Sequence, residues 1–545
     1  MFAQWIRWYA WGACVVVALI GGWLAWRSDP LWLWLAAPFF GLALLGTFDV
    51  LQRRHTVTRL YPVIGHLRYF FESIGPEIRQ YFIERDTEAV PFSRQQRALV
   101  YQRAKGVLDN RPFGTLLDVY AEGYEWIGHS ITPASVADDD PRITVGSGAH
   151  AYSASVFNIS AMSFGALSPA AIRALNEGAR RGGFYHDTGE GSISRYHREF
   201  GGDLVWEIGS GYFGCRTTEG HFDPQRFAAQ AAEPQVKMIE LKLSQGAKPG
   251  QGGVLPAPKV TPEIAAARGV PAWVDCVSPA AHSTFNTPLE LLAFVDRLRQ
   301  LSGGKPTGIK LAIGHAWEWF ALAKAMHESG LRPDFIVVDG GEGGTGAAPV
   351  EFTDHVGLPL REALLLVHNT LVGLNLRQQV RVAAAGKIIS GFDLARTLAL
   401  GADWCNAARG FMFALGCIQA QSCHTGKCPS GVATQEAARW GLLDVPDKAT
   451  RVARFHGETV DALKGMIAAA GLRHPAELGP EHVLRRVSRT EISSFAGLYP
   501  YLAPGALLAP ASSLPAPYAE YWHEARADSF APSERLVRLR ATKVS

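Results

Sequence analysis

Cys417, Cys423 and Cys428 lie on one turn-rich loop, Gly416-Cys-Ile-Gln-Ala-Gln-Ser-Cys-His-Thr-Gly-Lys-Cys-Pro429, with five and then four residues between them. Thiolates so close in sequence converge on one centre only if the backbone wraps around it, and Gly416, Gly426 and Pro429 supply such bends. The spacing reads as an iron-sulfur ligand loop; a Cys3His zinc site that recruits His424, or three buried free thiols, are the alternatives. A redox centre needs a redox partner, and the loops upstream are rich in glycine. Gly340-Gly-Glu-Gly-Gly-Thr-Gly346 follows the apolar run Phe335-Ile-Val-Val-Asp339. Five glycines after one strand are costly in entropy unless a ligand orders them, and around Gly343, Gly344 and Thr345 the backbone N–H groups can approach a flat ring or an anion. Gly386-Lys387 directly follows another strand-like segment, and Asn406-Ala-Ala-Arg-Gly410 comes soon after. Both fit a phosphate position late in a barrel, with Lys387 or Arg409 adding charge near Gly386 and Gly410.

The elements that must hold these loops alternate. From about 150 to 440, strand-like runs (Val156–Ile159, Lys237–Leu241, Ala272–Cys276, Gly308–Leu311, Phe335–Val338, Val380–Ala384) are interleaved with helical stretches (Pro169–Arg181, Thr261–Arg268, Pro288–Leu301, Ala316–Ser329, Phe392–Leu400). Such alternation predicts a parallel α/β body, and its length suits a (β/α)8 TIM barrel with function at the C-terminal ends of the strands. No repeat of 20 to 50 residues is evident.

A chain of 545 residues exceeds what one core usually supports, so attachments are expected. Lys and Arg total 53 against 50 Asp and Glu, and no basic run is interleaved with aromatics, which argues against nucleic acid as a partner. Seven cysteines are too few for a disulfide framework at this length, and a reducing compartment suits the body. Uncharged runs at Trp11–Trp26 and Leu31–Phe48 are each about long enough to span a hydrocarbon core, with Trp5, Trp8, Tyr9, Trp23, Trp26, Trp32 and Trp34 as interfacial belts. Arg7, Arg53, Arg54 and Arg59 place the basic flanks on one side, so both ends of a transmembrane hairpin should face the cytoplasm. The expected organisation is a hairpin over 1–50, a helical and looped adaptor over 51–150, the barrel with its cysteine loop over 151–440, and a helical, then Pro/Ala-rich extension over 441–545.

The stretch from about 157 to 436 resembles the FMN-binding synthase domain of glutamate synthases. The segments that carry the likeness are Ser160-Ala-Met-Ser-Phe-Gly-Ala-Leu-Ser168, Asp187-Thr-Gly-Glu-Gly191, Ile239-Glu-Leu-Lys-Leu-Ser-Gln-Gly-Ala-Lys-Pro-Gly250 with Lys259-Val-Thr-Pro262, Glu342-Gly-Gly-Thr-Gly346, and the cysteine loop closing in Gly431-Val-Ala-Thr-Gln435. The resemblance implies a (β/α)8 barrel with FMN and a 3Fe-4S cluster on Cys417, Cys423 and Cys428; Cys405 is a conceivable fourth ligand outside the family pattern. It places Ala161, Met162 and Ser163 against the isoalloxazine, Lys242 and Lys310 near its N1/O2 edge, and Glu190, Lys248 and Arg268 around 2-oxoglutarate. The implied reaction is reductive amination. Ammonia condenses with the 2-oxo acid, reduced FMN delivers hydride to the imine carbon, and protonation by a residue such as Glu190 assists if burial raises its pKa.

Departures from the family accompany the likeness. Complete members begin with a glutaminase domain whose N-terminal Cys is the nucleophile, whereas this chain begins Met1-Phe2. The pocket Gln expected after Gly252-Gly253 is Val254, the substrate-side Ser is matched to Thr287, and Asp-Gly-Gly before the phosphate loop reads Ala385-Gly386-Lys387. Gly209-Ser-Gly-Tyr-Phe-Gly214 opens no apolar helix, so it is not a dinucleotide fingerprint and electrons are expected from outside: a ferredoxin, another redox protein or a membrane carrier. An FMN oxidoreductase for another 2-oxo acid, imine or amino acid, and a membrane-tethered electron-transfer or flavin-binding module, are the competing functions.

Overall fold

The computed structural model describes residues 8–52, 55–88, 90–136, 140–509 and 514–541. Trp5, Arg7, Arg53, Arg54 and residues 510–513 of the Pro/Ala-rich extension lie outside the described residues. The chain divides into two compact units, Met1–Arg94 and Gln95–Ser545.

In the first unit, α1 (Tyr9–Arg27) and α2 (Trp32–Leu51) pack side by side. Small residues set their approach: a Cβ on Gly21 would lie 3.0 Å from the Ala36 Cβ. Trp11 adds a hydrogen bond from Nε1 to the Ala43 carbonyl at 3.0 Å. Leu19, Trp23, Trp26, Trp34, Phe40 and Phe48 are exposed, so the pair is apolar outward as well as inward. Both helices are long and apolar enough to cross a membrane. Helix α3 (Gly65–Ile78) follows and continues into a wider π turn, Arg79–Ile83.

The second unit is built on a closed barrel of eight parallel strands: β1 (Phe157–Ile159), β2 (His186–Asp187), β3 (Leu204–Ile208), β4 (Val236–Lys242), β5 (Thr307–Leu311), β6 (Phe335–Asp339), β7 (Arg381–Ala385) and β8 (Trp404–Ala407). Each strand pairs with the next, and β8 closes on β1 through Cys405 opposite Phe157. The outer helices used below are α4 (Pro169–Gly182), α5 (Pro224–Ala231), α6 (Pro262–Arg268), α7 (Pro288–Leu301), α8 (Ala316–Ser329), α9 (Leu360–Gly373), α10 (Gly391–Ala399), α11 (Arg409–Ala414) and α12 (Val445–Ala469). Their limits follow from local chemistry. Ser168 accepts the Ala171 N–H before a first-turn proline in α4, Thr287 and Glu290 form a capping box on α7, and Gly183 and Gly330 end α4 and α8 in the left-handed conformation. Helix α12 belongs to the barrel wall, because a Cβ on Gly178 of α4 would lie 2.5 Å from Val452, and one on Gly391 of α10 2.8 Å from the Leu463 nitrogen.

The N-terminal end of the barrel is plugged. An antiparallel hairpin, Arg142–Val145 with Tyr152–Ser155, packs Val145, Tyr152 and Ala154 against the inward residues Tyr185, Val205, Met238, Phe335 and Trp404. Access to the interior is therefore from the C-terminal mouth.

The structure departs from the sequence reading at Ala272–Cys276. Only Cys276–Val277 is a strand, paired antiparallel with Val254–Leu255 outside the barrel. Trp273 has φ = 61°, which breaks any extended run there.

Candidate active site

Side chains alternate in and out along each barrel strand, so residues two apart share the interior. The apolar layer of Tyr185, Val205 and Met238 is therefore followed toward the mouth by Asp187, Glu207 and Glu240, and then by Lys242, whose register partner on the next strand is Lys310. Lys310 Nζ lies 2.7 Å from Glu207 Oε2 and 3.9 Å from Glu240 Oε1. Lys242 Nζ lies 2.9 Å from Glu190 Oε2 and 4.0 Å from Glu207 Oε1. The two lysines that the sequence reading treats alike thus divide: Lys310 is an internal counter-ion beneath the mouth, and Lys242 connects that layer to Glu190.

Oxygens of Asp187, Glu207 and Glu240 all lie within 4.8 Å of one another, and all three residues are buried. Burial opposes charge on Lys310, yet Glu207, Glu240 and Asp339 around it raise its pKa well above the ordinary value. Burial and the negative charge of Glu207 push Asp187 up to about 7, and burial and Asp187 push Glu240 well above the carboxylate range. Four charges of mixed sign are satisfied inside the barrel only when the acid group retains a proton. This fixes the sign of a pH effect. From its ordinary pKa near 3.8 up to about 7, Asp187 binds more protons folded than unfolded, so its contribution is full at acid pH and is lost as pH rises through 7. Asp187→Asn is expected to flatten the fall in stability, read as thermal midpoint, between about pH 4 and 7, by roughly 1.4 kcal/mol per unit of removed shift. An unchanged slope in differential scanning fluorimetry would contradict the assignment.

At the mouth, Glu190 follows β2. Two glycines make its seat: a Cβ on Gly209 would lie 2.8 Å from Glu190 Oε2, and one on Gly253 2.6 Å from Oε1. Burial works against ionisation of Glu190, but Lys242, Arg268 and Lys248 hold its pKa down to about 2. The condition for Glu190 as a proton donor, that burial raises its pKa, is not met: three cations outweigh desolvation and favour the anion. Burial lowers the pKa of Lys248, with Glu190 opposing. Arg268, at the end of α6, donates from Nη2 to the Phe164 carbonyl at 3.1 Å, lies over the Phe213 ring at 5.2 Å, and leaves Nε buried without a partner. Glu190, Lys248 and Arg268 line one cleft, together with Ser163, Thr345 and Cys423.

The cysteine loop begins after α11. Cys417 and Cys428 are buried and Cys423 half-buried. Burial raises the pKa of Cys417, opposed by the charge of Arg409, which thereby belongs beside the thiol. Burial also opposes ionisation of Cys428, but the Ser430 hydroxyl and the N–H groups of Ala433, Ser430 and Val432 outweigh it and lower its pKa. Lys259 Nζ donates to the Cys423 carbonyl at 2.7 Å, and Tyr101 Oη to the Cys417 carbonyl at 2.6 Å. Among the described residues the only ligand-atom triad within 4.8 Å is the carboxylate set of Asp187, Glu207 and Glu240.

Residues 144–473 match the family model described as the conserved region in glutamate synthase. The chain is 36% identical to the glutamate synthase large subunit-like protein YerD of Bacillus subtilis, over 83% of this chain and 94% of that protein.

The chain belongs to the glutamate synthase family. As a glutamate synthase-type oxidoreductase it is also 34% identical to the archaeal glutamate synthase [NADPH] of Methanocaldococcus jannaschii, over 61% of this chain and 62% of that one, so it spans less than two thirds of the length of that relative. Among solved structures, flavocytochrome b2 with sulfite bound aligns with a TM-score of 0.41 at 12% identity, covering 82% of this chain and 92% of that one.

Several placements in this glutamate synthase homologue differ from the sequence reading. Thr287 is the N-cap of α7 and does not line the cleft; Ser278 does, with Oγ 3.4 Å from Glu190 Oε2. Cys405 sits on β8, where its thiol meets Thr397, Asp393 and Arg396, so it faces α10 and is no fourth ligand. Ala161 and Met162 lie after β1, with Met162 buried under Gly189, whose Cβ would lie 2.7 Å from the Ser163 nitrogen. Gly343 donates to the Gly340 carbonyl at 2.9 Å, while a Cβ on Gly344 would meet nothing within 4 Å. Gly386 adjoins Leu360 and Glu342, Lys387 is exposed with φ = 51°, and Gly410 is buried in α11. Lys259 and the carboxylate layer went unassigned from sequence. Their signals are a lysine three residues before Pro262 and acidic residues at interior positions of otherwise apolar strands.

Proposed function

We propose that this enzyme forms an amino acid by reductive amination of 2-oxoglutarate or a related 2-oxo acid, with FMN at the barrel mouth and a 3Fe-4S cluster on Cys417, Cys423 and Cys428. The observation that carries the reading is that Glu190, Lys248 and Arg268 line the same cleft as Ser163, Thr345 and Cys423. The chain's own groups suit both cofactors: Lys242 and the loops at Ala161–Ser163 and Gly343–Thr345 would hold the ring, Gly386, Lys387 and Gly410 the phosphate end, and the thiols of Cys417, Cys423 and Cys428 the cluster. FMN supplies the hydride, and the cluster supplies electrons one at a time from an external donor.

Arg268 and Lys248, which both line the cleft, bind carboxylates. Condensation of ammonium (ammonia plus one proton) with the oxo carbon releases water and leaves a cationic iminium, which the Glu190 anion stabilises beside the reacting carbon. Lys242 keeps that anion oriented. Addition of hydride to the iminium carbon gives the neutral amine, which takes up a proton from water to become the ammonium product, with none required from Glu190. Helices α1 and α2 hold the enzyme at a membrane, the body facing the cytoplasm.

A second reading has a specific observation behind it. Val254, Leu255, Pro256 and Ala347 give the cleft one apolar wall, which favours a less polar 2-oxo acid or imine over 2-oxoglutarate. Anaerobic titration decides. If 2-oxoglutarate with ammonium reoxidises the reduced flavin under nitrogen, the first reading holds; reoxidation only by a less polar 2-oxo acid supports the second, and by neither class rejects both. Arg268→Lys is expected to raise KM for the oxo acid at least tenfold with little change in kcat, because a charge-assisted hydrogen bond contributes about 1.5–3 kcal/mol. Steady-state kinetics on folded variant check this.

A further inference from the structure

Helix α3 and the π turn after it carry an apolar stripe that no described residue covers. Leu67, Phe70, Phe71, Ile74 and Ile78 recur at three- and four-residue intervals, and Tyr81 and Phe82 continue the same face. Phe70 and Phe71 are 53% and 58% exposed, and Phe82 is 85% exposed. On the other side stand Arg68, Glu72 and Arg79, with Arg68 Nε 2.8 Å from Glu72 Oε1, while Glu77, seven residues after Phe70, flanks the stripe; the four charges of the segment balance. Isolated apolar side chains on a surface are ordinary, but a continuous aromatic stripe of this length marks an interface.

The occupant follows from how α3 is attached. Asp49, in the last turn of α2, is 1% exposed; its carboxylate accepts the Val63 N–H at 3.0 Å and lies 2.9 Å from His66 Nε2. A Cβ on Gly46 would lie 2.3 Å from the Trp11 ring and 2.9 Å from Val63 Cγ2, so Val63 is wedged against both apolar helices. The first turn of α3 is thereby bolted to the end of α2. A helix that starts there starts at headgroup level, where aromatic side chains are favoured.

We propose that α3 and the turn to Ile83 lie in the plane of the membrane surface, with the Leu, Phe and Tyr stripe sunk among headgroups and upper acyl chains and the Arg/Glu face toward water. The partner is a lipid surface, and a zwitterionic one suffices because the charges of the segment, Arg68, Glu72, Glu77 and Arg79, balance. This rests on α1 and α2 being a membrane hairpin. It gives α3 the role of a collar that fixes the depth of the anchor.

The test uses full-length protein in phosphatidylcholine vesicles, with a fluorescent non-natural residue replacing Phe70, Phe82, Arg79 or, in α2, Leu44. Retained flavin absorbance confirms that each variant is folded. Brominated phosphatidylcholine should quench the probes at 70 and 82, more strongly with bromine near the headgroup than near the terminal methyl, and leave the probe at 79 unquenched. Quenching at 44 with none at 70 and 82 overturns the collar while leaving the hairpin. No quenching at 44 overturns the hairpin and the collar with it. Blue-shifted, unquenched emission at 70 and 82 that varies with protein-to-lipid ratio assigns the stripe to a second copy of this chain, and also overturns the proposal.

Discussion

Cys428→Ser, purified anaerobically, is expected to lose iron and sulfide together with turnover from any one-electron donor, while retaining bound yellow flavin. The thiolate is the ligand that iron binds, and Cys428 is prepared to be one: although burial opposes ionisation, the Ser430 hydroxyl and neighbouring backbone N–H groups lower its pKa. A serine hydroxyl at the same place is neutral near pH 7 and offers no comparable ligand. The loop itself has other supports, in the Tyr101 bond to the Cys417 carbonyl and the Lys259 bond to the Cys423 carbonyl, so the barrel should survive the substitution. Chemically reduced flavin should still pass hydride to substrate, because the cleft groups Glu190, Lys248 and Arg268 are untouched. Cys215→Ala, at a buried cysteine on no such loop, is the matching control and should keep iron and sulfide at wild-type content. Equal metal content in the two variants would remove the cluster from the account.

How much of this was legible in sequence depends on how local the cause is. Helices Pro288–Leu301 and Ala316–Ser329 have the limits read from sequence, because a Thr287/Glu290 capping box and a left-handed Gly330 lie within a few residues of the ends they set. Strands His186–Asp187, Leu204–Ile208 and Trp404–Ala407 were not marked, since strands buried on both faces show no alternation and two residues carry no period at all. The role of Val445–Ala469 as a wall of the barrel hides in distant glycines, Gly178 and Gly391, whose missing side chains only acquire meaning once the helices meet. In the cleft, motif order pointed to Glu190, Lys248 and Arg268, which the fold brings to one cavity. It could not set the ionisation of Glu190, which depends on cations from three separate segments, nor tell Ser278 from Thr287, which lie nine residues apart but serve a pocket and a helix cap respectively.

The carboxylate layer was the least legible feature and yields the second large effect. Lys310→Met is expected to destabilise the barrel by about 3–5 kcal/mol at pH 8, the usual cost of removing one partner from a buried charge pair. The methionine fills most of the volume of the lysine stem, so the loss is electrostatic: Asp187, Glu207 and Glu240 would then face one another with no cation nearer than Lys242, 4.0 Å from Glu207. The sign with pH is set by the same argument. Without Lys310, Asp187 and Glu240 lose a cation that opposes their raised pKa values, so stability is retained at acid pH and lost as pH rises. Urea denaturation should therefore show the variant close to wild type near pH 4 and far below it at pH 8. Adding Glu207→Gln, which removes the 2.7 Å partner of the missing cation, should recover part of the loss at pH 8 and little at pH 4. A deficit that is the same at both pH values and indifferent to Glu207→Gln would make Lys310 a packing residue, and the charged layer beneath the mouth would no longer explain how the barrel supports its site.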